Sequence, residues 1–234
     1  MSNGIAVVVG AGPGLGAALA RRFAKEGMSV AIARRRVDDL QELASEVGGR
    51  AYECDAAEEG SVNKLFDAVA QDMGQPDLVV YNAGTFKPAG ILENDGATLE
   101  HCWRIGCLGG FHVGQAAARG MVEAGRGTII FTGATASLRG GARFANLAVP
   151  KFGLRALAQS MARELGPEGV HVAHVIIDGQ IENEARGGRY SSAERGEDAL
   201  LSPDGIAETY WQIHRQPRST WTQELDLRPW VENF

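Results

Sequence analysis

The sequence predicts an α/β domain built on an open parallel sheet with helices on both faces, on three observations. Short β-branched and apolar runs alternate with longer stretches of helical periodicity along the whole chain. With 234 residues, 44% of them hydrophobic, the chain can bury one sizeable core. No repeat, low-complexity tract or interdomain linker divides it.

Residues 4–9 form the first apolar run, and the glycines behind it lead into Leu15, Leu19 and Phe23, four apart on one helical face. That is strand, tight turn, helix. MSVAIAR at 28–34 reads as a second strand, and Asp38 is expected to cap a helix carrying Leu40, Leu43, Ala44 and Val47. GGRAYECD gives a turn and a third strand. Ser61 is expected to open a helix marked by Val62, Leu65, Phe66, Val69 and Met73, and PDLVVYNAG at 76–84 is a strand running into a loop. A long helix at 98–122, a strand at 127–132, a helix at 146–165 and a strand at 169–178 continue the alternation. Strands separated this way pair in parallel through right-handed crossovers. Residues 180–202 are polar, glycine-bearing and too long for an ordinary connection, so they read as a flap over a site. SPDGIAETYWQIH supplies a last capped helix and TWTQELDL a short alternating edge strand.

Composition excludes several functions. The 23 basic and 29 acidic residues give a formal charge of −6 with no basic block, so nucleic acid is not an expected partner. MSNGIAVVVGAGPGLG lacks a cationic start and reaches a glycine turn after five apolar residues, so no signal peptide is expected. No run approaches the ~18 apolar residues of a membrane span, so no membrane is expected either. Cys54, Cys102 and Cys107 are odd in number and lack CxxC spacing, which reads as buried thiols in a reducing cytoplasm. His171 and His174 lie three apart on a strand and point to opposite faces, while His101 and His112 lack a ligating partner at i+4, so no metal site is expected. Trp211, Trp221 and Trp230 read as filling the core or a subunit interface.

The chemistry begins at Gly10, Gly12, Gly14 and Gly16, between a strand and the helix that Leu15 opens. Such a turn lets backbone approach a pyrophosphate resting on the helix N-terminus. Gly10, Gly14 and Gly16 fit G-x-x-x-G-x-G, while Gly12, Gly14 and Ala17 fit G-x-G-x-x-G/A, so spacing leaves the subtype open. At the end of the second strand stand Arg34, Arg35 and Arg36, with no acid before Asp38. Arginine there accommodates a 2′-phosphate, so NADP is favoured and NAD is the alternative. Asp55, with Ala56 behind it, is placed to contact the adenine, although a carboxylate at a strand end is also an ordinary cap.

In order, GAGPGLG, CDAA, YNAG, GGFHVGQAA and LAVPKFGLRALAQSMARELGPEGVHV resemble the short-chain dehydrogenases/reductases over nearly the whole chain. The resemblance implies one Rossmann-like domain over 1–234 with a seven-stranded parallel sheet, a nicotinamide cofactor, a small-molecule substrate and a homodimer or homotetramer. It also implies cofactor contacts at Asn82, Ala83 and Gly84, with Tyr81 replacing a first Asn, and at Lys151. Further contacts fall on Asp178, Gly179 and Ile181, where relatives carry Pro-Gly. The family's catalytic set is an Asn, a Ser, and a Tyr four residues before a Lys. Carried over position by position, these fall on Gly106, Ala134, Leu147 and Lys151, so only the lysine is kept. Thr135 and Ser137 are candidates to replace the serine, though ATAS also reads as a plain turn, and Tyr190 or Tyr81 is a candidate to close on substrate. Pro150 removes an amide donor before Lys151 and points to a helix that begins later than in relatives. Arg139 and Arg143, near the expected site mouth, read as a solvated loop or an attractor for an anionic substrate.

A positioned general acid contributes on the order of 10²–10⁴ in rate, and leucine cannot donate a proton. Three readings fit. The chain is a reductase with relocated proton chemistry, acting on a carbonyl, an imine or another acceptor; or a non-catalytic NADP-binding sensor or scaffold; or a family member doing non-redox work. The complete cofactor half, the kept lysine and the flap favour the first.

Overall fold

Seven strands form one sheet in the order β3-β2-β1-β4-β5-β6-β7, and every neighbouring pair is parallel. They are β1 Ile5–Val9, β2 Ser29–Arg34, β3 Arg50–Glu53, β4 Leu78–Tyr81, β5 Gly127–Thr132, β6 Val170–Ile177 and β7 Glu224–Leu227. The computed structural model describes residues 4–183, 187–196 and 198–231. Every residue of β1, β4 and β6 is buried, because helices cover both faces and leave no side to water.

On one face lie α1 (Leu15–Lys25), α2 (Gln41–Glu46) and α8 (Pro203–His214), which bring Leu19, Phe23, Leu43, Ile206 and Tyr210 onto Val8, Ile32 and Val80. On the other lie α3 (Glu59–Asp72), α5 (Gly109–Ala124) and α6 (Ala145–Leu165), which bring Val62, Leu65, Val113 and Leu154 onto Val7, Val79 and Ile129. Burying a side chain of this size is worth about 1.5–3 kcal/mol. The strand order reverses between β2-β1 and β4-β5, and at such a switch point a crevice opens beyond the carboxyl ends of the strands.

Several local expectations change. Asp38 lies inside a 3₁₀ turn at Val37–Leu40 and caps nothing, since Arg36 is the residue preceding that turn. Ser61 lies inside α3, and its hydroxyl accepts from the Asp55 amide at 3.0 Å. The long helix divides into α4 (Gly96–Trp103), a π-helical turn at Arg104–Leu108, and α5. α6 starts at Ala145, one residue ahead of the expected bound, and runs through Pro150, with the amides of Leu147 and Ala148 both bonded to the Phe144 carbonyl ahead of the proline. Trp230 is exposed rather than packed inside, and Cys107 is only half-buried.

Of the segment 180–202, residues 184–186 and 197 lie outside the described residues, as do 1–3 and 232–234. What is described holds a parallel bridge between Ile181 and Leu201, a 3₁₀ turn at Gly188–Tyr190 and the short α7 (Ser192–Arg195). Ser202 caps α8 by accepting from the Gly205 amide, as its position promised. Among the described residues no helix is long and apolar enough to cross a membrane.

Candidate functional site

The glycine turn after β1 forms the floor of a cleft of about 720 Å³, within the usual range of ligand pockets. Its walls include Gly12, Pro13, Arg34, Arg35, Arg36, Asp55, Ala56, Asn82, Ala83, Gly84 and Ile105. The packing resolves the glycine spacing. A Cβ on Gly10 would lie 2.4 Å from the Ala83 nitrogen, and one on Gly16 would lie 2.8 Å from the Ala11 Cα. Gly14 has φ near +99°, whereas Gly12 has ordinary backbone and room for a Cβ. The turn therefore requires Gly10, Gly14 and Gly16. Asn82 locks the neighbouring loop onto it, its side-chain amide donating to the Gly10 carbonyl at 3.1 Å. The Asp55 carboxylate accepts from the Ala57 amide at 3.0 Å while lining the cleft.

Lys151 stands beyond this cleft, one helical turn after the half-buried Leu147. Its ammonium is buried and donates to the Thr132 carbonyl at 2.6 Å, and a Cβ on Gly84 would lie 4.0 Å from its nitrogen. Burial pushes its pKa down to about 8. Thr135 gives its proton to Asp178 at 2.6 Å, so toward any other group its hydroxyl can only accept. Asp178 is buried and also bonded to Arg228. Ser137 is fully buried and accepts from the Ala134 amide at 3.2 Å. Behind it His174 makes a long contact of 3.5 Å to Ser137 and bonds Glu224 at 3.0 Å, and Arg155 grips Glu224 with two bonds of 2.7 Å. Thus Lys151, Thr135 and Asp178 come together at the carboxyl ends of β5 and β6. Tyr190 is half-buried in the turn after Gly187, and its carbonyl accepts from the Asn183 amide at 2.8 Å.

Residues 4–187 match the family model described as short chain dehydrogenase. The chain belongs to the short-chain dehydrogenase family. It is 32% identical to the 3-oxoacyl-[acyl-carrier-protein] reductase MabA of Mycobacterium avium over 76% of this chain and 67% of that protein. The chain spans about two thirds of the length of the curated relatives it matches. A solved short-chain dehydrogenase from Rhodopseudomonas palustris superposes with a TM-score of 0.84 at 39% identity, covering 98% of this chain and all (100%) of the other. A metagenomic short-chain oxidoreductase solved with NADP gives 0.83 at 27% identity, covering 99% of each chain.

This short-chain dehydrogenase departs from a regular helix at one point near the site. The π-helical turn carries Gly106, where a Cβ would lie 2.7 Å from the Pro150 Cβ. Gly106 and Pro150 are thus one adjustment: the ring of α6 fills the space that a side chain at 106 would need. The buried Tyr81 hydroxyl donates to the Ile105 carbonyl inside the same turn. Sequence reasoning missed this pairing, and it missed Asn183, whose side-chain amide donates to the Pro13 carbonyl at 3.1 Å across the glycine turn. Asn183 lies in the polar segment read as a flap, and nothing in its own neighbourhood marks it out. His174, Glu224 and Arg228 were missed for another reason: their contacts join β6 to β7, which are far apart in the chain.

Proposed function

We propose that the protein is an NADP(H)-dependent oxidoreductase that transfers hydride between the nicotinamide and a carbonyl, an imine or another small-molecule acceptor, with Lys151 in place of a tyrosine as the proton source. The observation carrying this reading is the buried Lys151 ammonium, depressed to about 8, beside the Asn82–Gly84 loop of the cleft. The residues fit the cofactor: a glycine turn that side chains would fill, a helix N-terminus behind it, and three arginines at the end of β2. A relative solved with NADP supports the same choice, with NAD the alternative. Bound there, the dinucleotide supplies the hydride, which the protein's own side chains cannot.

The positions to which the family resemblance assigns Asn, Ser and Tyr hold Gly106, Ala134 and Leu147, none of which carries a side-chain proton to give. Lys151 is charged at pH 7 and poised to release its proton as negative charge grows on an acceptor oxygen, because its pKa lies near the working pH. The Thr132 carbonyl fixes the ammonium while it does so. Thr135, held by Asp178, orients the loop over the acceptor, Ser137 braces that loop from beneath, and Tyr190 with Ile181 covers the site from the 180–202 side. Gly179 follows Asp178 into that cover. An iminium acceptor needs no proton at all and suits the site equally. Trp103, Phe111, Val149 and Phe152 leave apolar surface on α4, α5 and α6 for a homodimer or homotetramer to cover.

Single-turnover oxidation of bound NADPH, followed at 1:1 stoichiometry ~ pH 7 against aldehydes, ketones, quinones and imines, tests the reading, since a general acid operates best with its pKa near the assay pH. Loss of the reduced nicotinamide signal with at least one acceptor class is expected. Persistence of that signal across the whole panel refutes hydride transfer.

A further inference from the structure

We infer that Asp39 sets how strongly the cleft prefers a 2′-phosphorylated dinucleotide, by competing with that phosphate for Arg34 and Arg36. The inference rests on the NADP reading above and adds a residue to it. One oxygen of Asp39 lies 3.2 Å from Nη2 of Arg34 and 3.0 Å from Nη2 of Arg36, so a single carboxylate oxygen bridges both guanidinium groups. The other terminal nitrogen of Arg34 faces the glycine turn, 3.8 Å from where a Cβ on Gly12 would sit. Arg34 therefore spans the distance between the turn and Asp39. Its fork has one prong toward the cleft and one already engaged. Arg35, which also lines the cleft, makes no ion pair with a described residue.

A phosphate seated on a guanidinium gains most from two parallel hydrogen bonds. At Arg34 the second bond is available only if Asp39 gives way or the two anions share the group. Sharing costs repulsion between the carboxylate and a phosphate of nearly two charges; at about 6 Å in a water-like medium this amounts to a few-fold in affinity. The pairs are exposed, with 40% of the Asp39 side chain open to solvent, so they add little to the fold. The charge is therefore felt chiefly by an anion arriving at the same arginines. The carboxylate lowers the advantage of NADP over NAD, and both coenzymes remain within reach.

Calorimetric binding to the full chain tests this, with NADP⁺, NAD⁺, adenosine 2′,5′-bisphosphate and 5′-AMP as probes at one fixed ionic strength. Asp39→Asn, which keeps the shape and removes the charge, is expected to tighten NADP⁺ and the bisphosphate about three- to tenfold while NAD⁺ and AMP move less than about twofold. Asp39→Ala should act in the same direction, and in an Arg34→Ala background the gain should shrink. Unchanged or weakened NADP⁺ binding in both Asp39 variants, with the wild type binding NADP⁺ normally, overturns the inference and leaves the cofactor reading standing. A wild type that binds neither dinucleotide overturns both.

Discussion

Lys151 carries a charge where almost no water reaches it, and this makes it both useful and costly. Its pKa falls from 10.5 to about 8 because the interior disfavours the ammonium. The unfolded chain therefore holds more protons than the fold between about pH 8 and 10.5, so this residue's penalty is constant below that window and fades as pH rises through it. At pH 7 the penalty is on the order of 3 kcal/mol, partly offset by the bond to Thr132. Lys151→Met should thus raise the melting temperature by a few degrees at pH 7, measured by calorimetry, while abolishing single-turnover NADPH oxidation. A variant that melts lower and still turns over would contradict both the burial argument and the proton assignment. The lysine itself was legible in the sequence through its place in LAVPKFGLRAL. Its partner, the Thr132 carbonyl, was not, because a backbone acceptor leaves no mark on residue type.

Among the elements, the π-helical turn at Arg104–Leu108 carries the clearest departure from regular geometry. Replacing an exposed helical glycine by alanine normally gains about 1 kcal/mol. At Gly106 the sign should reverse, because the new methyl would meet the Pro150 Cβ at 2.7 Å. Gly106→Ala is expected to cost about 1–3 kcal/mol, read as a lower urea midpoint at an unchanged slope. The sequence showed a glycine at this position and a proline ahead of Lys151, yet the two lie 44 residues apart and their fit exists only once α6 crosses the turn. By contrast the Gly10–Gly16 turn was readable because strand, glycines and helix are contiguous. Spacing alone could not choose between its two patterns, since that choice depends on Ala83 and Ala11 as close neighbours.

For the molecule as a whole, the alternation of strands and helices was legible because the inner strands β1, β2, β4, β5 and β6 are apolar enough to be buried on both faces, while the edge strands β3 and β7 are only partly covered. The order of the strands was not, because crossovers of one hand restrict the order without choosing it. What the sequence concealed is how the last strand is fastened. His174, bonded to Glu224 of that strand, is buried, and His214 is half-buried against Thr128 of β5; burial lowers both to about 4 from the ordinary 6.5. Between those values the unfolded chain binds protons that the fold refuses, so stability should fall as pH drops from about 6.5 toward 4. Glu224 adds to the loss only at the acid end, below its ordinary 4.5, since Arg155 and His174 hold its carboxyl below that value and protonating it forfeits both. Thermal melts from pH 7.5 to 4.5 should show the midpoint declining across this interval, about as steeply in moderate salt as in dilute buffer because the groups are shielded. A flat profile would mean that the imidazoles are better solvated than their surroundings imply.

The bond from Asn183 to the Pro13 carbonyl bears on traffic through the crevice. A side chain from late in the chain reaches over the loop at its beginning, like a clasp across the mouth of a purse, next to the place where a pyrophosphate would settle. A coenzyme seated in the cleft would lie close to that amide. Loosening that one contact, as in Asn183→Ala, is expected to quicken coenzyme release, read by stopped-flow displacement of bound NADPH.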